Sequence, residues 1–207
     1  MVTTLVIMCI IRDMPVDSAE ALLDTAASRA GDLLGIGLDS AEVGYPPELF
    51  THIYERATRL GLHLVAHAGE EGPADYVRQA LDLLHVERID HGVRTATDGD
   101  LVARIARDGI ALTVCPLSNH RLQVVRDVAD LPVRQLFDAG VKVTLNSDDP
   151  AYFGGYIGDN YIAMARTGMS LDELATIAEY SLESSFATPE QKTTYANALA
   201  DWKRIHL

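Results

Sequence analysis

The sequence is poor in cysteine and in basic residues. Only two cysteines, Cys9 and Cys115, occur among 207 residues, so no disulfide framework is indicated and a reducing cytoplasm is the simplest compartment. Lysine and arginine number 17 against 30 acidic residues, which gives a formal net charge of -13. Because such a charge repels polyanions, binding along a nucleic-acid backbone is not expected.

Long hydrophobic runs are also lacking. The first apolar run, residues 5–11, is far shorter than the roughly 20 residues that a membrane-spanning helix needs. It has no basic leader and no small-residue cleavage site, so neither a membrane anchor nor a signal peptide is predicted. The hydrophobic content of 48% is that of a globular protein with a buried core. We interpret residues 5–11 as a buried strand.

Short apolar runs alternate with helical stretches along the chain. Runs of this kind are typical of parallel strands that are buried on both faces. The predicted strands are residues 5–11, 33–38, 62–66, 88–90, 110–114 and 141–145. Their spacing of about 20 to 30 residues is that of a βα unit. The pattern predicts an α/β fold, either a (β/α) barrel or a doubly wound sheet.

Helices are predicted between these strands and beyond residue 160. Two helix starts have the spacing of a capping box, namely Asp17 with Glu20 and Ser170 with Glu173. The predicted helices are residues 17–30, 46–61, 73–84, 101–107 and 131–139, and a last helix that begins at Pro189. No linker or repeat interrupts the chain. We therefore predict one domain, residues 1–207, whose C-terminal part, residues 160–207, is helical.

Polar residues collect where the predicted strands end. His67-Ala68-Gly69-Glu70-Glu71 follows the third strand, and Asp90-His91-Gly92 ends the fourth. Residues 115–120 follow the fifth strand, and residues 146–150 follow the sixth. In a barrel the C-terminal strand ends converge on one mouth, where active sites lie. We therefore expect these ionisable groups to face a common pocket.

Each of these residues also has a purely structural interpretation. A histidine after an apolar strand, such as His67, is usually a hydrogen-bonded structural residue, and Asp148 and Asp149 could form a turn before a proline. We interpret His120-Arg121 as a solvated loop. Cys115 is interpreted as a packing residue, because no second cysteine stands at a metal-binding spacing.

Taken together, the same residues fit a metal-dependent hydrolysis. Histidine nitrogen and carboxylate oxygen suit zinc with one position open for water, and zinc lowers the pKa of that water towards 7. A nearby acid must then protonate the reacting group while a base takes the proton of the water. His67, Glu70, His91 and Asp148 are candidates for these tasks.

Three motifs, in this order and spacing, resemble the adenosine/adenine deaminase family: His67-Ala68-Gly69-Glu70, Arg88-Ile89-Asp90-His91-Gly92 and Ser147-Asp148-Asp149-Pro150. The resemblance covers nearly the whole chain. Residues 37–42, 46–50, 114–119 and 149–156 look like the adenine deaminase branch. Adenosine deaminases proper usually carry an alanine-glycine pair where this chain has Asp39-Ser40.

The resemblance implies a (β/α)8 TIM-type barrel that hydrolyses adenine to hypoxanthine and ammonia with one zinc ion. In such an enzyme His67 and Asp148 would be zinc ligands. Glu70 would be the acid that protonates a nitrogen of the purine ring. His91 would orient and deprotonate the zinc-bound water.

The resemblance also implies how the substrate is held. Asp149 would form a hydrogen bond with a ring nitrogen of the base, and Ser40 and Glu42 would line the pocket. The expected partner is a small purine, with adenosine as the alternative substrate and N6-substituted adenines left open. Neither nucleic acid nor membrane is an expected partner, and an oligomer is compatible with the sequence.

The sequence departs from the family pattern at its start. The family carries a His-x-His pair on its first strand, and this pair supplies two more zinc ligands. No such pair occurs among the histidines, which are His52, His63, His67, His85, His91, His120 and His206. Residues 5–11 look like the family's third strand, so about six of the eight barrel strands are expected. Two ligands would hold zinc weakly, and we predict that the chain alone is inactive or barely active.

Two other functions stay open. One is a catalytically inactive, truncated remnant that acts only as a binding or partner protein, which the missing His-x-His pair favours. The other is a metal-independent hydrolase or another barrel enzyme. This second alternative is disfavoured, because the sequence has neither a Gly-x-Ser-x-Gly elbow nor a phosphate-binding Gly-x-Gly-x-x-Gly.

Overall fold

The structure is a computed structural model that describes residues 4–207. The chain forms two compact units, the first ending at Leu101 and the second running from Val102 to Leu207. The described residues contain six strands, all of them predicted: β1 (Ile7–Ile11), β2 (Gly35–Asp39), β3 (His63–Ala68), β4 (Arg88–His91), β5 (Ala111–Val114) and β6 (Lys142–Leu145). A helix follows each strand along the chain, so the predicted series of βα units is confirmed.

Four parallel strands form the sheet of the first unit. They pair in chain order, and the register places His67 of β3 opposite Asp90 of β4. The helices of this unit are α1 (Val16–Ala27), α2 (Thr51–Arg59) and α3 (Ala74–Asp82), with 3-10 turns at Ala30–Asp32, Pro47–Phe50 and Val93–Thr97. The helices pack on the strands around buried side chains such as Ile36, Leu38 and Ile53. Parallel pairing brings the polar C-terminal ends of β2, β3 and β4 to one edge of the sheet.

The prediction that β1 is buried is wrong for most of its residues. Only Ile10 is buried, whereas Ile11 is 56% exposed and Cys9 is also exposed. Within the described part of the first unit, β1 is the outermost strand and pairs with β2 alone. An outermost strand has a neighbouring strand on one side only, so its apolar side chains are less covered than those of an inner strand.

The predicted capping box at Asp17 is also wrong. Helix α1 begins at Val16, after Pro15, and no side chain caps it. The carboxylate of Glu20 instead lies 2.6 Å from Nε2 of His52 on α2. The proline fixes the helix start one residue early, so Asp17 lies inside the first turn and cannot cap it.

Helix α4 (Gly99–Asp108) crosses the division between the units. In the second unit β5 and β6 pair in parallel. Its further helices are α5 (Pro116–Arg121), α6 (Val133–Asp138), α7 (Pro150–Phe153), α8 (Ile157–Arg166), α9 (Leu171–Glu183) and α10 (Pro189–His206), with a 3-10 turn at Val128–Asp130. The helical character predicted for residues 160–207 is confirmed. In the described residues, no helix combines the length and the apolar character that crossing a bilayer requires.

Local predictions in the second unit have a mixed outcome. The capping box of α9 is confirmed, because Ser170 Oγ accepts a hydrogen bond from the Glu173 amide and the Glu173 carboxylate accepts one from the Ser170 amide. The loop predicted at His120-Arg121 is wrong, since both residues lie in the last turn of α5, although both are exposed as expected. Cys115 is 5% exposed, in agreement with its interpretation as a packing residue.

Candidate active site

His67 lies near the end of β3 beside carboxylates from both neighbouring strands. Its Nδ1 atom is 3.2 Å from Oδ1 of Asp39, the last residue of β2, and 3.9 Å from Oδ2 of Asp90 on β4. Nδ1 of His67 and Oδ1 of Asp39 are both buried, and neither makes a hydrogen bond of regular geometry. At 3.2 Å the two atoms form an ion pair and not a regular hydrogen bond.

The carboxylates control the charge of His67. Burial opposes protonation of the imidazole, but the contact with Asp39 and the charges of Asp90 and Glu70 outweigh burial and raise the pKa of His67 to about 9. Burial likewise raises the pKa of Asp39, yet the contact with His67 prevails and lowers it below the usual range. The surroundings of His67 thus favour a positive charge, whether a proton or a metal cation supplies it.

Glu70 and His91 form a second contact next to this pair. Oε1 of Glu70 is 3.3 Å from Nδ1 of His91, and the two side chains are 12% and 2% exposed. The imidazole rings of His91 and His67 lie with their centroids 4.8 Å apart. The structure therefore brings together three of the predicted site residues, His67, Glu70 and His91, in a largely buried cluster.

A buried carboxylate holds the loop that carries Glu70. Glu42 was predicted to line the substrate pocket, but its carboxylate instead accepts hydrogen bonds from four consecutive backbone N–H groups, those of residues 69–72. The side chain is 2% exposed. The Glu42 carboxylate thus faces the backbone of residues 69–72. These contacts do not support its predicted role as a pocket-lining residue.

Three predicted site residues have a left-handed backbone. The φ angles of Ser40, His91 and Asp148 are 76°, 61° and 56°. Residues other than glycine seldom adopt such angles, and when they do, they cluster at functional sites. Ser40 directly follows Asp39 and is exposed. This shared backbone feature cannot be read from the sequence, because nothing in the local pattern marks the three positions.

Asp148 and Asp149 lie in the second unit, each with partners there. Oδ2 of Asp148 accepts a hydrogen bond of 2.6 Å from Ser118, whose side chain is buried in α5. Oδ1 of Asp149 caps α7 and accepts from the amides of Ala151 and Tyr152. Asp149 is therefore the N-cap residue of a helix and not part of a simple turn, and its contact with a substrate stays a prediction.

Sequence analysis missed the partners of the predicted residues. Asp39 and Asp90 flank His67, and Ser118 holds Asp148. A signal for the two aspartates was available, because Asp39 is the last residue of β2 and Asp90 the second-last of β4, the two strands next to that of His67. No signal was available for Ser118, which becomes a neighbour of Asp148 only through the helix after β5.

The donor atoms suit a divalent metal. Imidazole nitrogen and carboxylate oxygen are ordinary zinc ligands, and His67 has the carboxylate beside Nδ1 that orients many metal-binding histidines. His67 and Asp148, the two predicted ligands, carry donor atoms of these kinds. Two such ligands are fewer than the three protein ligands usual for a catalytic zinc.

Comparison with known proteins identifies the family. The family model described as adenosine deaminase matches residues 1–202. An adenine deaminase of Sphingopyxis alaskensis is 50% identical over 199 residues, which cover 96% of this chain and 58% of that protein. An adenine deaminase of Streptomyces coelicolor is 50% identical over 92% of this chain and 56% of its own length.

Solved structures agree with these relatives. The crystal structure of adenine deaminase from Arthrobacter aurescens superposes with a TM-score of 0.95 and 48% identity, covering 98% of this chain and 62% of that one. An amidohydrolase from Burkholderia ambifaria, solved with bound zinc, gives a TM-score of 0.90 at 31% identity, over 97% of this chain and 57% of that one. The chain thus spans a little under 60% of the length of the curated relatives that it matches. By the extent of the family match and the agreement in fold, the chain belongs to the adenosine deaminase family.

Proposed function

We propose that this chain carries the proton-transfer and base-binding part of a site for the metal-dependent hydrolytic deamination of adenine. The observation that carries the proposal is the contact of Glu70 with His91 beside His67, all at the C-terminal ends of adjacent parallel strands. Relatives that are 50% identical over more than nine tenths of the chain are named adenine deaminases. Their names support adenine over adenosine as the substrate.

The residues of the first unit supply proton transfer. Protonated Glu70 donates a proton to a ring nitrogen of adenine, which makes the amino-bearing carbon electrophilic. His91 orients the attacking water and accepts its proton, and the 3.3 Å contact lets Glu70 recover a proton from His91. The new carbon–oxygen bond forms, the second proton of the water passes to the amino group, the carbon–nitrogen bond breaks, and ammonia and hypoxanthine leave. A divalent metal held through His67 and Asp148, for which we favour zinc, would lower the pKa of water at this site.

Asp149 and Ser40 would hold the base. Asp149 uses Oδ1 to cap α7, so Oδ2 is left to accept a hydrogen bond from a protonated ring nitrogen. Ser40 is exposed directly after Asp39 and presents a hydroxyl for a polar edge of the purine. A small purine is therefore the proposed partner, and the cytoplasm stays the predicted compartment.

The missing His-x-His pair favours one alternative function. In it the chain is catalytically inactive and only binds a purine or a partner protein. Catalytic zinc sites use three protein ligands and an open position, whereas His67 and Asp148 provide two. We accordingly expect the isolated chain to bind zinc weakly and to release little or no ammonia from adenine.

The decisive experiment uses a chimera. This chain replaces the matching 62% of the Arthrobacter aurescens protein, and ammonia release from adenine and from adenosine is measured together with metal content. We expect turnover of adenine, lost by about 10²- to 10⁴-fold in Glu70→Gln and unchanged in the matched control Glu71→Gln, whose side chain is exposed. A folded, metal-loaded chimera that binds adenine without turnover would support the inactive alternative. Equal activity of both variants would remove the role of Glu70.

A further inference from the structure

Four consecutive amides converge on a single carboxylate next to the proposed acid. Gly69 donates to Oε1 of Glu42 at 2.5 Å, and the amides of Glu70, Glu71 and Gly72 donate to Oε2 at 3.0, 2.9 and 2.8 Å. Successive N–H groups that point to one side form a concave site for an anion. Here the anion belongs to the protein itself, and the proposed acid Glu70 is one of the four donors.

The glycine at the end of this loop makes the approach feasible. A Cβ atom added to Gly72 would lie 2.9 Å from Cδ and from Oε1 of Glu42, and 2.7 Å from the ring of Tyr76. Such contacts are too short for real side chains. Any residue larger than glycine at position 72 would therefore push the carboxylate away from the amides.

A buried arginine fixes the segment that carries Glu42. Arg12 is 0% exposed, and its Nε and Nη2 atoms donate to the carbonyl oxygen of Tyr45 at 2.9 and 2.6 Å. Its Nη1 atom donates to the carbonyl oxygen of His67 at 2.8 Å. The Tyr45 amide in turn donates to the carbonyl oxygen of Glu42 at 3.1 Å. One guanidinium thus ties the turn of residues 42–45 to the end of β3, where the loop of Glu70 begins.

We infer that Glu42 is a positioning residue for Glu70, fixing the backbone from which the acid reaches His91. The inference deepens the proposed function, on which it rests for the chemical role of Glu70. Glu42 itself touches backbone amides and no reacting group. Because a displacement of about 1 Å at a catalytic group can cost about 10²-fold in rate, a four-point anchor beside the acid is the kind of support that a proton donor requires.

The first test is amide hydrogen exchange in the full chain, which needs no turnover. Glu42→Gln keeps the shape of the side chain but loses its charge and turns one acceptor into a donor. We expect the exchange of the amides of residues 69–72 to accelerate about tenfold or more, with α2 amides unchanged. The control is Glu55→Gln, an exposed glutamate on α2. Unchanged exchange in residues 69–72 of a folded Glu42→Gln chain would overturn the inference.

The second test asks whether Glu70 itself moves. The nitrogen-15 signal of His91 Nδ1 reports its contact with Glu70, so Glu42→Gln should shift that signal in the direction that Glu70→Gln does. A purely structural role for Glu42 predicts an unshifted signal at equal melting temperature, and that result would refute positioning.

A double variant, Glu42→Asp with Gly72→Ala, should regain part of the protection against hydrogen exchange that is lost in Gly72→Ala, since the shorter acid gives the new methyl group room. Failure of the chimera to deaminate adenine would reject the proposed function and leave these two results unaffected.

Discussion

Of the carboxylates that accept hydrogen bonds from backbone N–H groups, Glu42 in the first unit is buried and Glu173 in the second is partly exposed. Glu42 is 2% exposed and accepts four hydrogen bonds from residues 69–72. The side chain of Glu173 is 28% exposed; it accepts one hydrogen bond from Ser170 and pairs with Arg134 at 2.5 and 2.8 Å. In both cases a carboxylate accepts hydrogen bonds from backbone N–H groups that have no partner within a helix or a strand.

Burial separates their consequences. If the carboxylate of Glu173 is removed, water can reach the Ser170 amide, so little free energy is lost. If the carboxylate of Glu42 is removed, buried and half-buried amides lose their acceptors without replacement, which is costly. Two carboxylates with similar hydrogen bonds can therefore differ widely in their contribution to stability, and access of water to the amides decides which contributes more.

The largest effect is expected for Glu42→Ala. We expect the free energy of unfolding to fall by about 3–5 kcal/mol, because four donors are left without an acceptor. Urea denaturation followed by circular dichroism measures it, with Glu55→Ala expected within about 0.5 kcal/mol of the wild type. A loss below about 1 kcal/mol would mean that water replaces Glu42 and that the contrast with Glu173 is unfounded.

A pair of arginine substitutions comes next. Arg12→Lys should lower the free energy of unfolding by about 2–3 kcal/mol, because a single ammonium cannot serve the carbonyl oxygens of Tyr45 and His67 as the guanidinium fork does. The matched change Arg134→Lys, on the surface partner of Glu173, should have a much smaller effect. Similar shifts of the two denaturation midpoints would break the comparison.

Two glycine-to-alanine substitutions should change the free energy of unfolding in opposite directions. Gly72→Ala forces a methyl group against Glu42 and Tyr76 and should destabilise by about 1–3 kcal/mol. Gly158→Ala on α8 meets no atom within 4 Å and lies in a helix, so it should stabilise by about 0.4–1 kcal/mol. Thermal melting of both variants measures the difference, and a neutral Gly72→Ala would show that Glu42 can withdraw freely.

The smallest expected effect depends on pH. The hydrogen bonds from Arg134, followed by those from Ser170, lower the pKa of Glu173 from 4.5 to about 2. A lowered pKa in the folded state contributes stability that is present above the unfolded value of 4.5 and is lost as the pH falls towards 2. The denaturation midpoints of wild type and Glu173→Gln should therefore converge over that window. A gap that persists below it would show that charge is not the cause.

The strands and the cluster of His67, Glu70 and His91 could be predicted because they depend on patterns that the sequence carries. Apolar runs locate buried parallel strands, and parallel pairing places the residues at their ends side by side. The capping box of Ser170 and Glu173 could be predicted for the same reason, since its geometry is local. The box at Asp17 failed because Pro15 starts the helix earlier.

The roles of Glu42 and Arg12 could not be predicted, because they depend on contacts between residues distant in the chain. Glu42 meets amides 27 to 30 positions away, and Arg12 meets a carbonyl oxygen 55 positions away. Nothing in the local sequence distinguishes an acid that faces a ligand from one that faces a backbone loop. Only the folded path of the chain decides between these two uses of the same side chain.

The left-handed backbone at Ser40, His91 and Asp148 has an evolutionary consequence. Each such residue costs of order 1–2 kcal/mol that a glycine would recover, so mutation followed by selection for stability alone would replace them. A lineage that had lost its chemistry would be free to accept those glycines. This chain carries a hydroxyl, an imidazole and a carboxylate at these three positions, and not glycine, which is the pattern expected where selection acts on the side chains.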